Sequence, residues 1–251
     1  MDVGNCIELA VRRWAAWPPD AAAGSRRDRL SPSTAPARPD VSFVAPLQRR
    51  RLSEVTQMAF AAAAECLRED EPVPGFVYCS RYGEYAESFE SLQQIVRQEP
   101  ISPTAFSMSV HNTAASQLAM HRKDRAPCSA LAAGATTLEA GFVEAFAQIA
   151  ESGASVIVVY HDQPLPALYR EQPTTVKSGL ALALLLDRPA AGGDEQSLRL
   201  AWRPSAAGPA TACEERDPVC AVIRLLRRGG APVTQDTGRL VWTWSRPSAR
   251  L

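Results

Sequence analysis

The sequence predicts an α/β protein built on a layered sheet, and three neighbouring stretches carry that prediction. Cys128-Ser129-Ala130-Leu131-Ala132-Ala133-Gly134 is a run of mostly small residues, the kind that lets backbone pack closely around a tight turn. The stretch from Ala135 to Glu151 carries Leu138, Phe142, Ala145, Phe146 and Ile149 along one helical face. Ser155-Val156-Ile157-Val158-Val159-Tyr160 then shows no polar alternation, the pattern of a strand covered on both sides. A turn thus feeds a buried helix and then a buried strand, and what the turn holds at its tip decides what the protein does.

The 251 residues are enough to bury one large core, so a single domain over 1–251 is expected. Lys and Arg together number 27, as do Asp and Glu, which leaves no overall field to draw in nucleic acid or a charged membrane. The longest apolar runs, Leu180 to Leu186 and Val156 to Tyr160, are too short to span a bilayer, and the start of the chain has no basic stretch followed by an apolar one. A cytoplasmic protein is expected. Cysteines at 6, 66, 79, 128, 213 and 220 form no Cys-x-x-Cys pair and have no histidine at ligand spacing. They read as reduced, buried small hydrophobes, and neither a metal nor a cofactor is expected.

In chain order, Cys6 to Val11 reads as an opening strand with Trp14 and Trp17 at its exit. Residues 21–46, rich in Ala, Ser, Pro and Arg, read as a poorly ordered excursion. Arg49-Arg50-Arg51 precede a helix marked by Leu52, Val55, Ala59, Ala62, Ala63 and Cys66; the triplet is either its solvated start or a contact for an acidic partner. Gly75 to Ser80 is a second central strand, and Arg81-Tyr82-Gly83-Glu84 the turn at its end, where open α/β sheets gather ligands. A helix from 84 to 97 should turn Phe89, Leu92 and Val96 inward. Ser102 before Pro103 is a good N-cap for a helix running from Thr104 toward His121. Leu180 to Leu186 reads as a further strand that pairs with Leu198 to Trp202 across the loop at 191–193. Residues 211–217 read as a polar linker, Val219 to Arg228 as a helix, and Leu240 to Trp244 as the last strand.

Ile101-Ser102-Pro103, Asn112 and Ser129-Ala130-Leu131-Ala132-Ala133-Gly134, together with Arg81-Tyr82-Gly83-Glu84 and Val110-His111-Asn112, resemble the N-terminal half of β-ketoacyl synthases. The resemblance covers about 41–165 well and the strands after 178 more weakly. It is closest to the short chain length factors of aryl polyene and related pigment systems, and it implies a thiolase-like fold. In that family the turn carries a cysteine, held at a helix N-terminus where the dipole and backbone N–H groups favour a thiolate and an oxyanion. Leu131 stands at the matching position, and an aliphatic side chain cannot be acylated. Two histidines of a full synthase come from a second half that this chain is expected to lack. The resemblance therefore implies a non-catalytic subunit that pairs with an active, full-length β-ketoacyl synthase and meets an acyl carrier protein through it.

Cys128, three residues before Leu131, is the alternative nucleophile of an acyltransferase or hydrolase; on an incoming strand it should point away from the tip and be buried. His161-Asp162 follows a central strand, but neighbours on a strand point apart. In the resembling synthases the turn after the second central strand carries a residue that limits chain length by its bulk. Tyr82 stands there, and with Ala105, Phe106 and Met108 it either shapes a tunnel shared with the partner or is ordinary core. A third reading is a scaffold on which the acidic helix of an acyl carrier protein meets Arg49, Arg50 and Arg51 or Arg81.

Overall fold

Thirteen residues of alternating outlook, Asn5–Trp17, form β1, which is the strand the others assemble around. The computed structural model describes residues 5–18, 38–68, 71, 75–169, 178–190, 196–206 and 218–247. After β1 come α1 (Pro46–Arg49), α2 (Glu54–Cys66), β2 (Gly75–Cys79), α3 (Tyr85–Val96), α4 (Pro103–Met108), α5 (Thr113–Arg122), β3 (Cys128–Leu131), α6 (Thr137–Ser152) and β4 (Val156–Asp162). They are followed by β5 (Leu180–Asp187), β6 (Ser197–Pro204), α7 (Pro218–Arg228), β7 (Val233–Asp236) and β8 (Leu240–Ser245). The strands make one sheet in the order β3-β2-β4-β5-β1-β6-β8-β7. Among the described strands β2 runs parallel to both β3 and β4; every other pairing is antiparallel.

The unbroken apolar runs follow from burial on both faces. Val156, Val158 and Tyr160 of β4 and Leu180, Leu182, Leu184 and Leu186 of β5 share one core with α6 and α7. Ile157, Val159, Ala181, Ala183 and Leu185, from the alternate positions, share the other with α2 and α5. Helix α6 can lie this close because of Gly141: a Cβ there would stand 2.1 Å from the Cys79 sulfur.

Several expectations are corrected. Leu198 to Trp202 does not pair with β5, because β1 lies between them, pairing through Ala10–Trp17 with β5 and through Asn5–Ala10 with β6 across a bulge near Arg12. The helix expected from 104 to 121 is two helices. At the break the Ser109 hydroxyl bonds the Phe106 carbonyl (2.8 Å), the Thr113 hydroxyl bonds the Met108 carbonyl (2.8 Å), and the Ser88 hydroxyl bonds the Ser109 carbonyl (3.0 Å), so side chains answer groups that helical turns would have used. Leu92 and Val96 are exposed, since α3 packs chiefly against α4 and not the sheet. Phe146 lies at the rim of the α6 contact face and is 38 % exposed.

Part of the 21–46 excursion is also better ordered than expected. Val41 and Val44 are buried in the α2 core, and the Val44 amide bonds the Val41 carbonyl at 3.0 Å. Residues 19–37, the loop at 191–193 and the 211–217 linker lie outside the described residues. Among the described residues no helix is long and apolar enough to cross a membrane.

Candidate functional site: an elbow without a nucleophile

Strands β2, β3 and β4 end side by side, and the elbow leaves from β3. Register pairs Leu131 with Cys79 and Cys128 with Phe76. Leu131 therefore shares the α6 face, where it packs against the buried cluster around Phe142, whereas Cys128 points to the opposite face. The direction expected for Cys128 is observed, but its burial is not. It sits on the edge strand of the described sheet and is exposed, because among the described strands β3 has a neighbour on one side only. Partial desolvation pushes its thiol pKa up, away from the thiolate a nucleophile needs.

Beyond Leu131 the chain turns through Gly134, whose φ of +59° is a left-handed conformation that glycine adopts without strain. The first residue of α6 then closes the turn. The Thr137 hydroxyl donates to the Gly134 carbonyl (2.8 Å) and accepts the Ala133 N–H (3.0 Å). That amide is thereby committed within the turn and is not turned toward an incoming carbonyl oxygen.

The hairpin of β7 and β8 lies over the start of α6. Gln235 Nε2 donates to the Ala135 carbonyl (3.2 Å), and Trp244 Nε1 donates to Glu139 Oε1 (2.9 Å) while its ring meets Phe142 edge-on at 5.0 Å. Burial pushes the Glu139 pKa up, against the lowering pull of the Trp244 hydrogen bond. Sequence reasoning missed Gln235, Glu139 and Trp244 as elbow contacts, since they meet across about a hundred residues of chain.

The turn after β2 is tied to the same place. The two oxygens of Asp162 take the Ser80 hydroxyl (2.8 Å), the amides of Arg81 (3.1 Å) and Tyr82 (3.2 Å), and the Tyr160 hydroxyl (2.6 Å). Arg81 Nε donates onward to the Gly134 carbonyl at 2.9 Å, which joins this turn to the elbow. His111 Nε2 donates to the Ser80 carbonyl (2.8 Å), and Gly83, at φ +54°, leaves room for it, since a Cβ there would lie 2.9 Å from the imidazole. His161 faces the other way, edge-on to Tyr78, and desolvation lowers its pKa to about 4. It makes no catalytic pair with Asp162.

Of the remaining expected residues, Ala105 and Met108 line a cleft of about 310 Å³ together with Arg50 and Arg51. Tyr82 is not part of that lining, and Phe106, exposed on α4, is not either. Arg49 closes α1 beside the cleft's two arginines. Among the described residues no group of three or more His, Cys, Asp or Glu side chains could hold a metal ion.

A mixed sheet with helices on both faces, turning through a glycine elbow at the ends of its three parallel strands, defines a thiolase-like protein. The chain belongs to the β-ketoacyl synthase family: the profile of its N-terminal domain matches residues 14–245. Among solved structures it is similar to a chain of the Xenorhabdus doucetiae complex of a ketosynthase (ApeO) with its chain length factor (ApeC), at 25% identity and a TM-score of 0.75, over 96% of this chain and 100% of that one. It is similar in fold to the ishigamide ketosynthase/chain length factor (18%, 0.60, 89% of this chain and 74% of that one). A β-ketoacyl synthase from Burkholderia phymatum also shares the fold (12%, 0.58, 82% and 66%). No curated protein matches the chain in sequence.

Proposed function

We propose that the chain is a single-domain, non-catalytic chain length factor: a ketosynthase-like subunit that pairs with an active, full-length β-ketoacyl synthase. Within type II fatty-acid or polyketide-type synthesis, including aryl polyenes, it shapes the chain that the partner elongates. The observation that carries this reading is Leu131, an aliphatic, half-buried side chain packed against the core at the elbow tip, where acyl transfer needs a thiolate. The likeness to a ketosynthase/chain length factor complex supports it.

The open edge of β3 supplies a place for the partner. Phe76 N–H bonds the Pro127 carbonyl and Ser80 N–H the Leu131 carbonyl, so by alternation the N–H and C=O groups of Cys128 and Ala130 point away from β2. Exposed Ile95, Val96 and Phe106 on α3 and α4 add apolar surface suited to a subunit contact. Tyr82 with Ala105, Phe106 and Met108 acts on chain length, and Arg49, Arg50, Arg51 and Arg81 face the acidic carrier protein.

Co-expression with a full-length β-ketoacyl synthase from the same source tests the reading. A stable complex is expected, in which replacing the partner's nucleophile abolishes product and Tyr82→Ala changes product length. Recovery as a monomer that no ketosynthase accompanies, or acylation of Cys128 by thioester substrates, would overturn it.

A further inference from the structure

We infer that Asp162 is the positioning residue of the length-setting turn, which deepens the reading of Tyr82 given above and rests on it. The carboxylate is fully buried, and each oxygen takes two donors: Ser80 hydroxyl and Tyr82 amide on Oδ1, Arg81 amide and Tyr160 hydroxyl on Oδ2. Hydrogen bonds to an ionisable carboxyl are among the stronger ones, and four of them from three consecutive residues and a strand neighbour leave the turn one conformation. Ser80 extends the grip, because its oxygen also accepts the Gly83 amide (2.6 Å). The backbone on either side of the Tyr82 side chain is thus fixed from below by a residue of β4 that never reaches the surface.

The same carboxylate reaches the elbow at one remove. Arg81, whose amide it holds, donates from Nε to the Gly134 carbonyl, and its guanidinium stands 5.7 Å from the Tyr82 ring centroid. Asp162 therefore sets Tyr82 and the elbow backbone relative to one another, and Tyr160 is the strut that orients Asp162 from two residues away on the same strand face. Bulk at Tyr82 limits a chain only if the ring is held in place, and the hold comes from position 162.

Asp162→Asn tests this, since an amide offers an N–H₂ group to two of the four donors while keeping size and shape. In the complex with the partner synthase, hydrogen exchange at the Arg81 and Tyr82 amides should speed up tenfold or more, with β5 amides unchanged. Product length should shift in the direction that Tyr82→Ala shifts it, at unchanged complex stoichiometry, which loss of fold alone would not produce. Tyr160→Phe, which removes one donor and keeps the ring, carries the same two readouts if Asp162→Asn does not fold. Unchanged exchange at Arg81 and Tyr82, or unchanged product length where Tyr82→Ala alters it, overturns the inference. A Tyr82→Ala complex with unaltered product instead overturns the role of Tyr82, and the exchange rates still decide whether Asp162 holds the turn.

Discussion

Two buried titratable side chains near the strand ends carry opposite pH signatures. Glu139 sits in the first turn of α6 with one oxygen on Trp244 and the other without a partner among the described residues, and burial raises its pKa. A carboxyl whose folded pKa is raised contributes stability below its unfolded value, and that contribution is lost as pH rises through the folded one. Glu139→Gln keeps an acceptor for the indole and removes the titration. It should raise the unfolding free energy at pH 7 and leave it unchanged near pH 4, measured by urea denaturation. His161 runs the other way. Its pKa falls from 6.5 to about 4 on folding, so its stability contribution is complete above the unfolded value and is lost as pH drops toward 4. The unfolding free energy of the wild type relative to His161→Phe should therefore fall by on the order of 3 kcal/mol between pH 7 and pH 4.

Among the elements, α6 is the most constrained, because its approach to β2 depends on one missing methyl group. Gly141→Ala would drive a Cβ into the Cys79 sulfur and should destabilise the protein by about 1–3 kcal/mol, measured by thermal and urea unfolding. Adding Cys79→Ala removes the obstructing sulfur and should recover most of the loss, a compensation that independent effects would not give. The C-terminal ends of three helices are answered from the strands and loops below them. Arg13 Nε caps the Cys66 carbonyl (2.8 Å), Arg188 the Ile149 and Ala150 carbonyls (3.2 and 2.7 Å), and Gln196 the Leu226 carbonyl (2.8 Å). The cleft of about 400 Å³ lined by Arg12, Arg13 and Arg68 lies at this end, with Arg13 already paired to Glu71 and Arg12 to Asp187.

For the molecule as a whole, the open edge of β3 is the surface that the heterodimer reading turns on. Ala130→Pro deletes an outward N–H and leaves the β2 ladder intact. The chain should keep its fold by circular dichroism while its association with the partner synthase weakens at least tenfold by sedimentation. Both features were partly legible in the sequence. The runs at 156–160 and 180–186 announced strands buried on two faces, and the small-residue turn announced the elbow, because both signals are local. The break between α4 and α5 was not legible, since Ser88 supports it from another helix. Nor was the partnership of Glu139 with Trp244, which only the sheet order creates. Asp162 did leave a trace. Tyr160 and Asp162, two apart on a strand, lie on one face, and the adjacent His161 lies on the other, as the strand period requires.

The place of β1 in the sheet bears on how the molecule is made. Among the described residues β1 finds its hydrogen-bonding strand partners in β5 and β6, some 160 to 200 residues later, so it must wait while nearly everything between is synthesised. Closing so large a loop is slow, and an unpaired apolar strand in waiting is exposed to association with other chains. Any shortened form that stops before Leu180 leaves Asn5–Trp17 with neither neighbour. Its failure to accumulate in cells would then report a sheet that cannot be assembled, whatever becomes of the elbow.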